Sequence, residues 1–246
     1  MAVSRATPAA AQAMPAIIQV AVFDYDGTAI NGQSGALFAR YLFARGLLSP
    51  LRALRLGWWG IRYVLHLPCR QGEAREQIFD TLREHSSQEV KEIMCDFHDQ
   101  VLSRRYRQEA LNEVRRRKEE GCVTLLVSAT FRELADAKNA LSIAEQAARR
   151  LGVDGLVATD MERDAQGNYT GNVEGAVVAG PEKTRAVRRW ANEHLGPGTW
   201  EIAYSYGDHH SDEDLLSVSK QAFAVSPGKA LRRKAKQMNW VVLDWS

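Results

Sequence analysis

The chain has 246 residues, of which 45% are hydrophobic and 25% are charged, and its formal net charge at pH 7 is +2. Such a chain buries one large core or two modest ones, and its small net charge, with acids and bases interspersed, gives no sign of a nucleic-acid partner. The three cysteines, Cys69, Cys95 and Cys122, are too far apart for a zinc knuckle or a disulfide framework, so we expect a cytoplasmic protein.

The first fifteen residues, MAVSRATPAAAQAMP, are rich in alanine and contain one arginine. They lack the apolar core of a secretory signal, and they are too short to span a membrane. We predict a disordered tail over residues 1–15, with a transit-type peptide as the alternative.

Five apolar runs predict the strands of a parallel sheet, because they are continuous rather than alternating. These runs are AIIQVAVFDY, GCVTLLVSAT, WEIAYSYGD, QAFAVSP and NWVVLDW. Helical patterns separate most of them, and two polar runs that flank DAQGN (residues 164–168) predict a hairpin. Strands that alternate with helices predict an α/β fold with a Rossmann-like, doubly wound parallel sheet.

The interval between the first two predicted strands is too long for a simple crossover. It spans about ninety residues, whereas a βαβ connection needs only about a dozen. Helical patterns fill it, so we predict an all-helical cap over residues 34–120, inserted into an α/β core formed by residues 16–33 and 121–246. The cap is expected beside the carboxyl end of the first strand, where open α/β sheets bind ligands.

Two aspartates, Asp24 and Asp26, stand at the end of the first strand in VAVFDYDGTAI. Neighbouring carboxylates shift each other's titration, so that one stays ionised as a nucleophile while the other holds a proton as a general acid. A hard cation would relieve their repulsion, which favours Mg²⁺. A polar transition from strand to turn, supported by Gly27, is the alternative interpretation.

Three further motifs put polar side chains at the ends of predicted elements. Ser128 and Thr130 end the strand in LLVSAT, Lys183 begins a helix in GPEKTRAV, and Asp208 and Asp212 follow a strand in YSYGDHHSDEDLL. A lysine beside a helix N-terminus is suited to face an anion. We expect Thr130 to stabilise the next helix rather than to point at the site.

The order DxDGT, strand-terminal Ser, Lys and GDxxSD resembles the four signature motifs of the haloacid dehalogenase superfamily of hydrolases. The resemblance implies that Asp24 attacks phosphorus and becomes a transient aspartyl-phosphate. It implies that Asp26 protonates the leaving alcohol and then activates water. Because dehalogenases lack an acid at the position of Asp26, a phosphatase is favoured over a dehalogenase.

The same resemblance implies a magnesium site and a phosphate pocket. The implied Mg²⁺ ligands are the Asp24 side chain, the Asp26 backbone carbonyl and Asp208, with Asp212 behind them holding metal-bound water or Lys183. The implied substrate-binding residues are Gly27, Thr28, Ser128, Ala129 and Lys183. Arg75, in GEAREQIF of the cap, is a further candidate for a contact with the substrate. We expect His209 and His210 to be exposed loop residues, with a contact to the substrate as the alternative.

The helical insertion resembles the C1 cap of the phosphoserine phosphatase-like subfamily IB. Serine-specific members carry an acid shortly after DxDGT, and the corresponding stretch here, AINGQSGAL, has none. This difference argues against phosphoserine as the substrate. The apolar cap, with YLFARG before it, loosely resembles bacterial phosphatidylglycerophosphatases of the C type.

The cap segment LLSPLRALRLGWWGIRYVLHLP predicts an amphipathic helix. Its arginines share one side, namely Arg52, Arg55 and Arg62. Its apolar residues share another, namely Leu54, Trp58, Ile61 and Leu65. Such a helix suits a membrane interface, although the arginines prevent it from spanning the bilayer. The alternative is that the apolar side chains pack the cap itself and the arginines are solvated.

The sequence therefore predicts a Mg²⁺-dependent phosphatase that acts through an aspartyl-phosphate. The substrate is a lipid phosphate such as phosphatidylglycerophosphate, in which case the cap makes a peripheral membrane contact, or a soluble, phosphoserine-like metabolite. A phosphotransferase or mutase remains open, because it shares the chemistry of Asp24 and Asp26. A non-enzymatic binding module would be expected to lack a motif acid, and none is missing.

Overall fold

The computed structural model describes residues 16–64, 81–82, 85–132, 142–166 and 169–246. The predicted disordered tail over residues 1–15 and the predicted substrate contact at Arg75 fall outside these residues.

A seven-stranded sheet forms the core, in the order β4-β3-β2-β1-β5-β6-β7. Its strands are β1 (Ile18–Asp24), β2 (Val123–Arg132), β3 (Gly155–Arg163), β4 (Tyr169–Glu174), β5 (Trp200–Gly207), β6 (Gln221–Val225) and β7 (Val241–Leu243). Neighbouring strands run parallel except β3 and β4, which pair antiparallel where the hairpin was predicted. The predicted Rossmann-like α/β fold is confirmed.

The central strand, β1, lies where the strand order changes direction. The chain continues from β1 to β2 and β3 on one side, and later returns to β5 on the other. Residues 20–23 of β1 are completely buried, because the strand is covered on both faces. The carboxyl ends of β1 and β5 therefore flank the crevice in which such sheets bind ligands.

Among the described residues, helices occupy the connections between the strands other than the hairpin between β3 and β4. They are α1 (Ser34–Ala44), α2 (Pro50–Val64), α3 (Ser87–Gln100), α4 (Gln108–Glu119), α5 (Ile143–Leu151), α6 (Pro181–Leu195), α7 (Glu213–Ser217) and α8 (Lys229–Met238). Ser86 and Ser142 start α3 and α5 with capping boxes, each paired with a glutamate three residues later. In the part of the chain that the structure describes, no helix combines the length and apolarity needed to cross a bilayer.

The first helices after β1 share a core with the strand end. Phe23 and Tyr25 belong to the same buried cluster as Phe38 of α1 and Phe97 of α3. The Phe38 and Phe97 rings lie 4.9 Å apart between their centroids. This continuous packing fixes α1 relative to the turn that follows β1.

Helix α4 is tied to the sheet. Its Arg117 is 2% exposed, donates from Nε to Tyr206 Oη at 2.8 Å, and stacks 3.6 Å from the centroid of the Tyr204 ring. Tyr206 in turn donates to Glu113 of α4 at 2.5 Å. The division into an α/β core and a cap over residues 34–120 stays a prediction, and the packing of α4 favours a cap that ends before this helix.

Candidate active site

The turn after β1 brings the ends of two strands together. Asp24 ends β1 and is 3% exposed, and the chain turns at Gly27, whose φ is +77°. A Cβ at Gly27 would overlap the carboxylate of Asp208, which follows β5. Glycine therefore allows both the left-handed backbone and the close approach of Asp208 to this turn.

Lys183 joins two of the predicted acids. Its Nζ lies 2.5 Å from Asp24 Oδ1 and 2.6 Å from Asp212 Oδ1, in the first turn of α6 after Gly180 and Pro181. Burial opposes the charged form of Lys183, but the carboxylates of Asp212 and Asp24 outweigh it and raise its pKa. The ammonium is therefore charged, and it holds Asp24 in place.

Asp26 is held by a different set of groups. Its Oδ1 accepts from the backbone N–H of Ser34 at 2.5 Å, and its Oδ2 accepts from Ser34 Oγ at 3.0 Å. Thr130 Oγ1 lies 2.7 Å from Ser34 Oγ and 3.4 Å from Asp26 Oδ2. Burial raises the pKa of Asp26, although the bonds from Ser34 oppose that rise. A raised pKa suits a carboxyl group that has to carry a proton.

These contacts revise two sequence-based expectations. Thr130 was expected to stabilise the next helix, but it points at Asp26 and Ser34, so that expectation is wrong. Ser34 was not predicted at all, and a serine at the start of a helix is too common to mark a site. Its role depends on a contact between residues eight positions apart in the chain.

Ser128 and Ala129 lie at the edge predicted for them. Val127 of β2 pairs with Asp24 of β1, so Ser128 stands one residue beyond the end of β1. Ser128 is 1% exposed, and its Oγ accepts from the backbone N–H of Thr130 at 3.0 Å. The Ala129 carbonyl accepts from Thr159 Oγ1 at 3.2 Å. Their proposed contact with a phosphate stays a prediction.

Three acids form a cluster that fits a hard cation. Asp24, Asp208 and Asp212 each offer one carboxylate oxygen, and these oxygens lie within 4.8 Å of one another. Burial and the neighbouring acids Asp212 and Asp208 raise the pKa of Asp24, against the pull of Lys183. Burial and Asp212 raise the pKa of Asp208 to about 7. Crowded carboxylates of this kind are stabilised by a cation, and an all-oxygen donor set suits Mg²⁺.

The cluster differs in part from the predicted ligand set. Asp212 was expected to stand behind the ligands, yet its carboxylate belongs to the cluster together with Asp24 and Asp208. The Asp26 side chain accepts hydrogen bonds from Ser34 and is not part of the cluster. Which atoms bind a metal stays a prediction.

The loop after β5 contains two histidines with different surroundings. His209 is half-buried, and its Nδ1 accepts from the backbone N–H of Ser211 at 3.4 Å, whereas His210 is exposed as expected. Burial lowers the pKa of His209. The backbone N–H of His209 donates to Asp212 Oδ2 at 3.2 Å, so this loop orients one of the clustered acids.

Two more buried groups accompany the turn after Asp26. The Thr28 hydroxyl is completely buried and has no hydrogen-bond partner among the described residues. Arg107, at the start of α4, donates its backbone N–H to the Ala29 carbonyl at 3.0 Å and its Nη1 to Ser226 Oγ at 3.1 Å. Sequence reasoning missed Arg107, because nothing in its local pattern marks it.

Known proteins are similar in sequence to this chain over most of its length. The model of the haloacid dehalogenase-like hydrolase family matches residues 21–217. A phosphoserine phosphatase of Mycobacterium tuberculosis is 25% identical and aligns over 92% of this chain and 70% of its own length. A histidinol-phosphatase of Neisseria meningitidis is 24% identical and aligns over 92% of this chain and 98% of its own length.

Solved structures share the fold. A protein of unknown function from Bordetella pertussis is 28% identical, with a TM-score of 0.80 over 93% of this chain and 99% of that one. A phosphoserine phosphatase, solved as an analogue of its phospho-aspartyl intermediate, has a TM-score of 0.60 over 93% of each chain. Its identity to this chain is 17%, so the similarity shows the fold alone.

Proposed function

This chain belongs to the haloacid dehalogenase-like hydrolases, as a phosphatase of that family, and from this premise we propose that it hydrolyses phosphomonoesters through an aspartyl-phosphate formed on Asp24. The observation that carries the proposal is the convergence of Asp24, Lys183 and Asp208, which come from three distant parts of the chain, at one edge of the sheet. This arrangement joins a nucleophile, a fixed cation and a set of metal ligands.

In the first step, a carboxylate oxygen of Asp24 attacks phosphorus, and the bond between phosphorus and the ester oxygen breaks. The Lys183 ammonium, 2.5 Å from Asp24 Oδ1, holds the carboxylate and offsets the charge that gathers on the phosphoryl oxygens. Asp26 gives its proton to the departing oxygen, which leaves as an alcohol. The products of this step are the aspartyl-phosphate and an ionised Asp26.

In the second step, Asp26 removes a proton from a water molecule, whose oxygen attacks phosphorus. The bond between phosphorus and Asp24 breaks, so inorganic phosphate leaves and the Asp24 carboxylate is restored. Asp26 regains the proton that the next cycle requires. Asp24 and Asp26 are thus both needed, and each returns to its starting state.

The acid cluster is suited to hold Mg²⁺ through Asp24, Asp208 and Asp212. When bound, the cation neutralises the carboxylates and the phosphoryl oxygens around the reacting phosphorus. The remaining phosphate contacts that we propose are hydrogen bonds from Ser128, from Thr28 and from the backbone N–H of Ala129. The backbone N–H of Gly27, predicted to contact the phosphate, already donates to the Gly32 carbonyl at 2.9 Å. The unpartnered Thr28 hydroxyl supports a polar ligand at this turn.

The test is hydrolysis of p-nitrophenyl phosphate with Mg²⁺ and with a chelator. We expect phosphate release that stops on chelation and in Asp24→Asn, while Asp214→Asn, which changes an exposed acid in the first turn of α7, stays active. Quenching in acid during turnover should trap phosphate on the wild-type chain and none on Asp24→Asn. An Asp24→Asn protein as active as the wild type would refute the proposal, and product isomerisation without free phosphate would indicate a mutase.

A lipid phosphate is the second candidate for the substrate, and the exposed face of α2 favours it. Leu51, Leu54 and Trp58 are 60%, 71% and 59% exposed, so more than half of each of these residues faces solvent. The side chains of Ile61, Arg62 and Leu65 lie outside the described part of the chain. Arg55 is exposed beside this face, and α2 contains no acid. Apolar and cationic side chains on one exposed helix suit an anionic membrane surface.

The names of the two curated relatives support a soluble amino-acid or amino-alcohol phosphate instead. The two candidates are separated by comparing phosphatidylglycerophosphate in mixed micelles with phosphoserine and histidinol phosphate. A lipid substrate predicts that Leu54→Gln with Trp58→Gln lowers turnover of the micellar substrate while p-nitrophenyl phosphate is hydrolysed as before. The matched control is Met238→Gln, an exposed apolar residue at the end of α8. Preference for a soluble ester would end the lipid hypothesis.

A further inference from the structure

We propose that Ser34, supported by Thr130, positions the carboxyl group of Asp26 for proton transfer to the leaving group. Ser34 would then be a positioning residue of the reaction, although it comes from the first helix of the insertion rather than from any of the four motifs. This inference rests on the proposed function, in which Asp26 is the proton donor.

Ser34 binds both oxygens of Asp26. The backbone N–H of Ser34 donates to Oδ1 at 2.5 Å, and its hydroxyl donates to Oδ2 at 3.0 Å. Two donors from one residue fix the rotation of the carboxyl plane as well as its position. A catalytic group has to be held within about 0.5 Å and about 10–20° of its productive geometry, which a single hydrogen bond does not ensure.

Asp26 also takes the place of a helix cap. The N-cap residue of α1 is Gln33, whose side chain makes no capping hydrogen bond. The backbone N–H of Ser34 would otherwise be one of the unpaired donors at the start of a helix, and the bond that it donates to Asp26 satisfies it. A carboxylate beside a helix N-terminus is also electrostatically favourable. The start of α1 and the orientation of Asp26 therefore stabilise each other.

The Ser34 hydroxyl is itself held firmly. Ser34 is 1% exposed, and its Oγ lies 2.7 Å from Thr130 Oγ1. Thr130 belongs to β2, and its backbone N–H donates to Ser128 Oγ at 3.0 Å. On the other side, Phe38 of α1 is buried against Phe97 of α3. Ser34 thus links Asp26 to both the sheet and the insertion, and its geometry follows from that packing.

The test uses the dependence of the reaction on the leaving group. The ratio kcat/KM reports the steps up to formation of the aspartyl-phosphate, so the later role of Asp26 as a base does not enter it. Nitrophenolate leaves readily without a proton, whereas the more basic phenolate requires one. We therefore expect Ser34→Ala to lower kcat/KM for phenyl phosphate at least about tenfold, and for p-nitrophenyl phosphate less than about threefold.

Two comparisons show whether Ser34 acts through Asp26. Asp26→Asn should give the same pattern with a larger loss for phenyl phosphate, and adding Ser34→Ala to Asp26→Asn should cost no further activity. The control is Ser205→Ala in β5, which removes another completely buried hydroxyl, 2.6 Å from Ser219 Oγ. This variant should not change the ratio of the kcat/KM values for the two substrates.

The outcomes separate this inference from the proposed function. The positioning role would be overturned if Ser34→Ala lowered kcat/KM equally for both substrates. It would also be overturned if Ser34→Ala lowered kcat/KM as much in Asp26→Asn as in the wild type. In either case Asp24→Asn would still be inactive, so the proposed function would stand. Activity that persists in Asp24→Asn would instead overturn the proposed function.

Discussion

The metal-free protein should become less stable as the pH rises, because its acid cluster has to ionise inside the protein. Asp208 shows this most directly, since burial and Asp212 raise its pKa from 3.8 to about 7. A group whose pKa is higher in the folded state binds more protons there. Its contribution to stability is therefore complete below its pKa in the unfolded chain, and it is lost as the pH rises through its pKa in the folded protein. The window for Asp208 is therefore about pH 4 to 7.

The size of the effect follows from the same two values. The difference between 3.8 and about 7 corresponds to about 4 kcal/mol of unfolding free energy. This is an upper value for one group, because the protonation of Asp208 is coupled to that of Asp24 in the same cluster. A loss of this size is a large fraction of the stability of an ordinary domain.

The assay compares urea unfolding of the wild type with that of Asp208→Asn, in a chelator, between pH 4 and pH 8. Asparagine keeps the size of the side chain but cannot ionise. We expect equal stability near pH 4 and a variant that is more stable by up to about 4 kcal/mol at pH 8. With saturating Mg²⁺ the order should reverse at pH 8, because only the wild type keeps all three acids of the cluster. A difference between the two proteins that stays constant with pH would refute the reasoning.

Three other variants test the roles of single side chains. Lys183→Met leaves Asp24 buried without its cation, so it should lower the unfolding free energy by about 3–5 kcal/mol in a chelator. It should also lower kcat/KM more than about a hundredfold, and near-wild-type kinetics would contradict the role of Lys183. Tyr206→Phe removes the buried bonds to Arg117 and Glu113 and should cost about 1–3 kcal/mol in thermal unfolding with kcat/KM unchanged. Ser142→Ala removes the capping box of α5 and should cost about 1 kcal/mol, measured by urea unfolding; an unchanged midpoint would argue against the cap.

The parts of the molecule that could be predicted from the sequence are those that local pattern controls. The strands of a parallel sheet are covered on both faces, so β1, β2 and β5 appear in the sequence as continuous apolar runs. Their carboxyl ends meet at one edge by the rules of the fold. Motif residues such as Asp24 and Asp208 could therefore be assigned to a common site before their contacts were known.

Other features could not be predicted, because they depend on contacts between distant residues. The bonds from Ser34 to Asp26 arise only once α1 is packed against the end of β1. The attachment of α4 to the sheet depends on Arg117, which looks like an ordinary surface arginine in the sequence. For α2 the sequence left two interpretations open, and the exposure of Leu54 and Trp58 could not be read from its pattern.

The bond between the Ser34 amide and Asp26 also makes the proton donor observable. An amide proton that is bound to a carboxylate resonates far downfield in NMR spectra and exchanges slowly with deuterium. The Ser34 amide is 2.5 Å from Asp26 and 1% of the residue is exposed, so its signal reports whether Asp26 is engaged. Titrating substrates or product phosphate into isotope-labelled protein would then follow one catalytic side chain directly, without measuring turnover.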